Sequence, residues 1–107
     1  MGELVPVARV ADLGPGRMQW VAVGQERVLL ANVEGQFYAL SDVCGHQRAP
    51  LSRGTLVGYE VECPLHFARF DVRTGRLVRG PVATDVPVYA VRVEGDTVYV
   101  RRDQNTR

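Results

Sequence analysis

Lysine and isoleucine are absent from this chain of 107 residues: arginine supplies all 13 basic side chains and 19 valines take the aliphatic β-branched positions. Both missing residues have AT-rich codons, so this bias points to a GC-rich genome and not to an activity. Charge of one sign is not in excess. Thirteen basic groups face 12 acidic ones for a net +1, which excludes the basic footprint of a general nucleic-acid binder. No apolar run approaches the roughly 18 residues of a membrane span. The first residues, with Glu3 and Arg9 in a strand-like pattern, lack the apolar core of a secretory signal. Repeats, linkers and low-complexity tracts are missing, and no window of a dozen residues keeps a helical period. With 46% hydrophobic and 23% charged residues the chain has ordinary globular composition. A chain of this length buries roughly two-thirds of its unfolded surface. One soluble, cytoplasmic domain over residues 1–107 is expected, a monomer without nucleic-acid or membrane partners.

What is there is an apolar period of two. Leu4–Val10, Trp20–Val23, Arg27–Val33, Gln36–Leu40, Gly58–Glu62, Phe67–Val72, Leu77–Arg79, Val88–Val93 and Thr97–Arg102 read as strands. Gly24-Gln25, Glu34-Gly35, Thr74-Gly75 and Gly95-Asp96 punctuate them as hairpin turns. These features predict an all-β domain of antiparallel strands, a sandwich or small barrel. Three segments break the alternation: Ser41–Arg53, Cys63–His66, and Gly80–Pro87, whose two prolines bar it from a central strand. Chemistry belongs in these loops.

Only two cysteines and two histidines are present, and all four fall in two of those loops. Cys44-x-His46 is followed after sixteen residues by Cys63-x-x-His66. Each loop offers a thiolate and an imidazole. Two such loops can clamp a pair of irons, the cysteines on one and the histidines on the other. An all-cysteine cluster would need four thiolates. A tetrahedral zinc site also accepts two Cys and two His, although zinc sites more often pair cysteines with cysteines and histidines with histidines. A Cys44–Cys63 disulfide needs an oxidising compartment, and nothing in the sequence points to export. A core-histidine reading fails because each His sits beside a Cys in an irregular loop.

The residues around these ligands resemble the Rieske ferredoxin family. Leu51-Ser52-x-Gly54 follows the first loop and Pro64 lies inside the second. Phe70-Asp71-x-x-Thr74-Gly75, Pro81 and Val86-Pro87-Val88-Tyr89 come next, in the family's order. The resemblance spans about residues 3 to 102. It implies the Rieske fold, with antiparallel sheets forming a base and a cluster-binding lobe of about 43–75 inserted between base strands. It also implies a Rieske [2Fe-2S] cluster, with Cys44 and Cys63 on the inner iron and His46 and His66 on the outer one.

Within that family the high-potential type carries an extra Cys in each loop, a Ser two residues and a Tyr four residues after the second His. Here the extra cysteines are missing, and Ala68 and Phe70 stand where the hydroxyls would be. Neither can donate a hydrogen bond to sulfur, so a potential near the lower end of the Rieske span, about −150 to +300 mV, is expected. Pro64 or Leu65, Phe67 and Pro81 are candidates for an apolar docking rim, the alternative being that Leu65 and Phe67 pack under the loops. Arg48, Arg53, Arg69, Arg73, Arg76 and Arg79, set against Glu60, Glu62 and Asp71, give a local +3. That excess either steers an acidic partner or is a solvated face.

The resemblance therefore implies a one-electron carrier from an NAD(P)H-dependent flavoprotein reductase to a terminal ring-hydroxylating oxygenase in aromatic hydrocarbon catabolism. It is not itself an enzyme, since no residue is left to act as acid, base or nucleophile. Two alternatives stand beside this: the small accessory subunit of a nitrite-reductase-like complex, and a zinc-stabilised interaction module.

Overall fold

The computed structural model describes residues 3–43, 50–64, 67–80 and 85–102. It holds eleven strands among the described residues. They are β1 Glu3–Arg9, β2 Arg17–Val23, β3 Glu26–Val33, β4 Gln36–Ser41, β5 Thr55–Val57, β6 Glu60–Glu62, β7 Arg69–Asp71, β8 Leu77–Arg79, β9 Val88–Tyr89, β10 Val91–Glu94 and β11 Thr97–Arg102. They form three antiparallel sheets, ordered β1-β11-β10, β2-β3-β4-β9 and β5-β6-β7-β8. The third sheet is inserted between β4 and β9, two neighbours of the second. The all-β expectation therefore holds, with the base and inserted sheet that the resemblance implies. No helix among the described residues is long and apolar enough to cross a membrane.

The middle sheet explains the packing. Along β3 the run from Val28 to Val33 is buried at every position. A strand covered on one face alternates, whereas one covered on both reads as continuous apolar sequence. Val28 and Leu30 face a core shared with Val21, Phe37, Val98 and Val100. Leu29, Ala31 and Val33 face a second core with Leu40, Leu51, Val61, Cys63 and Phe70. The one polar residue in the run, Asn32, is satisfied: its Nδ2 donates to the Leu13 carbonyl at 2.8 Å and its Oδ1 accepts from Gly35 N at 2.8 Å. That second bond braces the Glu34-Gly35 turn, where both residues have positive φ, 56° and 94°. This is the two-residue hairpin geometry whose twist matches its strands.

Three strand expectations need correction. The strand expected from Phe67 to Val72 is only Arg69–Asp71, because Phe67 turns at positive φ and the chain turns again at Val72. Val88–Val93 is not one strand. It breaks at Ala90, so β9 pairs with β4 while β10 pairs with β11 in another sheet. Periodicity cannot reveal the change of partner, because Val88 and Val91 are both good strand residues. Gly58 is not in a strand either; with φ 61° it lies in the turn joining β5 to β6. The pairing partner β5 was missed because Thr55-Leu56-Val57 holds too few residues for a period to register.

Burial ranks the core positions. Leu29 is fully buried at the junction of the base and the inserted sheet, while Val93 is 46% exposed. Leu29→Ala is expected to lower unfolding free energy by about 3 kcal/mol, and Val93→Ala by less than about 0.5 kcal/mol, both read from urea unfolding midpoints at constant slope.

Candidate metal centre

The second ligand loop grows directly out of a β ladder. β6 and β7 pair Val61 with Phe70 and Glu62 with Arg69. The register continues one step further, since Cys63 N donates to the Ala68 carbonyl at 2.7 Å. Alternation then places Cys63 on the same inward face as Val61, and Ala68 on that of Phe70. All four are fully buried. Phe67 N donates to the Cys63 carbonyl at 3.0 Å, which closes the loop. To make this turn Phe67 adopts φ 58° and is 64% exposed. A left-handed backbone at a bulky residue costs about 1–2 kcal/mol, so the closure holds the loop against local strain. Cys63 stands at the end of this ladder, buried among apolar groups.

The first ligand loop is pinned at its neck. Val43 forms an isolated antiparallel bridge with Pro50. Asp42, immediately after β4, is fully buried, and its carboxylate is saturated with donors. Oδ1 accepts from Ser52 N at 2.7 Å, and Oδ2 accepts from Ser52 Oγ at 3.0 Å and from Arg27 Nε at 2.8 Å. The Asp42 carbonyl also accepts from Leu51 N at 2.7 Å, and Asp42 N donates to the Arg27 carbonyl at 3.1 Å. Both ends of residues 43–50 are therefore bound to one residue.

Close backbone approaches join the loops. A Cβ at Gly54, just past the first loop, would overlap the Glu62 carbonyl oxygen, one residue before Cys63. A Cβ at Gly80, which has φ 129°, would lie 2.7 Å from the Ala68 Cβ. Only glycine fits at either place, and each contact presses a neighbouring segment onto the Cys63 ladder.

Residues 3–90 match the family model of the Rieske [2Fe-2S] domain. The ferredoxin component of biphenyl 2,3-dioxygenase from Rhodococcus jostii (strain RHA1) is 40% identical over 97 residues, covering 91% of each chain. Among solved structures, the ferredoxin of carbazole 1,9a-dioxygenase from Nocardioides aromaticivorans IC177 superposes with a TM-score of 0.88 at 36% identity, over 91% of this chain and 95% of that one. A chain in a complex of reduced oxygenase and oxidised ferredoxin of carbazole 1,9a-dioxygenase superposes with a TM-score of 0.87 at 37% identity, over 92% of both.

The chain belongs to the Rieske [2Fe-2S] family.

Of the four expected cluster ligands in this Rieske domain, the structure describes Cys63. Cys44, His46 and His66 lie outside the described residues, as do Leu65, Pro81 and Arg48. The chemistry present fits the family's group. A buried cysteine ends the ladder, and the loop carrying Cys44 and His46 is tied to the same scaffold through Gly54. Ala68 and Phe70 are fully buried beside Cys63, so the two positions that carry hydroxyls in high-potential relatives are apolar here. Pro64 and Phe67 are exposed, which rules out the alternative that Phe67 packs beneath the loops.

The arginines divide into two groups. Arg69 pairs with Glu62 at 3.0 Å and Glu60 at 3.4 Å, and the Glu62 hydrogen bond chiefly holds its pKa above the usual value. Arg73 grips Asp71 through Nε at 3.0 Å and Nη2 at 2.9 Å while stacking on Tyr59 at 4.1 Å. These contacts absorb all three acidic residues that the local count set against the arginines. Arg53, Arg76 and Arg79 are exposed and form no ion pair among the described residues.

The Arg73 hydrogen bonds hold the Asp71 carboxyl below the usual aspartate range. A depressed folded-state pKa means that this pair stabilises the fold above the ordinary aspartate pKa, and the contribution is lost as pH falls through the folded value. Carboxyl-carbon NMR should show Asp71 titrating below a normal aspartate, and Arg73→Ala should raise that midpoint toward the ordinary value.

Proposed function

We propose that this chain is a Rieske ferredoxin that takes single electrons from an NAD(P)H-dependent flavoprotein reductase and passes them to a terminal ring-hydroxylating oxygenase. The observation that carries this reading is the second ligand loop: a buried Cys63 at the end of a rigid ladder, flanked by the exposed Pro64 and Phe67. Similarity over nearly the full length of dioxygenase ferredoxin components supports it. So does the likeness to a ferredoxin found in complex with its oxygenase.

On this reading Cys44 and Cys63 hold the inner iron and His46 and His66 the outer one of a [2Fe-2S] cluster, which supplies reversible one-electron transfer when bound. The chain's own residues do the rest. The Cys63–Ala68 ladder and the Asp42 neck keep the two loops in register, so that little rearrangement accompanies a change of charge. Ala68 and Phe70 withhold hydroxyl donors, which favours the low-potential type suited to an oxygenase donor. Phe67 and Pro64 offer an apolar rim. Arg53, Arg76 and Arg79 supply positive charge in the segments around it, which steers an acidic partner surface. A single cytoplasmic domain over residues 1–107, acting as a monomer with its cluster lobe at about 43–75, completes the proposal.

Reconstitution with a dioxygenase reductase and oxygenase tests this. NADH-driven product formation should require the chain, and its rate should fall steeply as salt screens the arginines. Phe67→Ala should weaken apparent affinity for the oxygenase about tenfold while leaving the midpoint potential unchanged. No electron flow from any such reductase would remove the carrier role. A flat salt response would remove the steering, and an unaltered Phe67→Ala variant would remove the rim.

A further inference from the structure

The Asp42 neck contains a charge that the ligand chemistry does not require. A fully buried carboxylate lies two residues before Cys44, and among the described residues one cation, Arg27, is paired with it. Taking a carboxylate out of water is costly unless it is paired and hydrogen-bonded, and inside a protein its field is weakly screened. Ser52 supplies two hydrogen bonds but no charge. Arg27 supplies the charge, and its placement is fixed twice. β3 presents it opposite Asp42 by extending the β3–β4 register past Val28 and Ser41, and the Trp20 ring stacks on its guanidinium at 4.0 Å. The Arg27 side chain remains 40% exposed, so it brings its charge to the buried group without being buried itself.

We infer that Arg27 is a positioning and potential-setting residue: by neutralising the buried Asp42 carboxylate it fixes the neck of the first ligand loop and keeps an uncompensated negative charge away from the cluster. The inference rests on the assignment of Cys44 and His46 as ligands. Its sign follows from charge. Reduction adds one negative charge at the centre, so a bare carboxylate nearby opposes reduction and an unpaired guanidinium favours it. A merely structural latch would behave differently, because losing either partner would loosen the neck in the same way.

Four variants separate these cases: Arg27→Gln, Asp42→Asn, the double variant, and Ser52→Ala. Three measurements apply to each: midpoint potential by EPR-monitored titration, cluster release into an iron chelator, and hydrogen exchange at the Leu51 and Ser52 amides. Arg27→Gln should lower the potential. Asp42→Asn should raise it, by less, because Arg27 is partly in water. The double variant should return most of the way to the parent value. Arg27→Gln should also speed cluster release and Ser52 amide exchange about tenfold. Ser52→Ala leaves both charges in place, so it should speed release without moving the potential; it keeps the test available should Arg27→Gln fold poorly. Potential shifts of the same sign in both single variants would overturn the electrostatic role. Parent-like release and exchange in Arg27→Gln would overturn the positioning role. Failure of the ligand assignment looks different again: the parent chain would then show no Rieske-type EPR signal, while Ser52 exchange would still report on the neck.

Discussion

The close approach of Gly54 to the Glu62 carbonyl sets the geometry on which the rest of this domain depends. On the proposed assignment two loops, whose cysteines lie nineteen positions apart, must present their ligands to one small centre with ångström accuracy. The structure gives the second loop a ladder by running the β6–β7 register through to Cys63 and Ala68. It then brings the first loop onto the same ladder where no side chain could fit between the two backbones. Glycine at position 54 is therefore a requirement of distance and not of flexibility. Gly80 repeats the device from the other side, against Ala68.

Behind the loops stands a base whose central strand is covered on both faces. Leu29 and Leu30, adjacent in sequence, belong to different cores. The inserted sheet consequently packs through buried apolar contact on the sheet that carries Arg27 and Asp42. Electrostatics follow the same economy. The acidic groups of the inserted sheet are bound to Arg69 and Arg73, Asp42 is matched by Arg27, and the other arginines whose side chains are described face solvent. The buried Asp42 at the neck is compensated, while Arg53, just past it, is exposed and forms no ion pair among the described residues.

The sequence made some of this legible and hid the rest for identifiable reasons. The alternation of burial from Ala68 to Val72 could be read because it depends on local spacing, although Phe67 before it leaves the strand for a turn. The apolar character at positions 68 and 70 was equally plain, as residue type alone decides whether a side chain can donate. The break at Ala90 was invisible, since a strand that changes sheets keeps its period while changing its partner. The Asp42 neck was missed although its parts were in view. Ser52 stood within a motif and Arg27 at the edge of a strand, but nothing in their spacing says that Arg27 meets Asp42, fifteen positions along the chain. A charged residue at a strand end usually faces water, and only the third dimension shows one buried. Counting gave the net charge around the loops but could not say which arginines are spent on Glu60, Glu62 and Asp71 and which are left over.

The most direct test of the central claim, that two loops held on one ladder carry a Rieske cluster of the low-potential type, is a redox titration of the purified protein followed by EPR. The account predicts a single rhombic Rieske-type signal appearing on reduction toward the lower end of the family's span of about −150 to +300 mV. A signal at the upper end would contradict the argument from Ala68 and Phe70. A colourless, zinc-containing sample with no signal would contradict the claim itself.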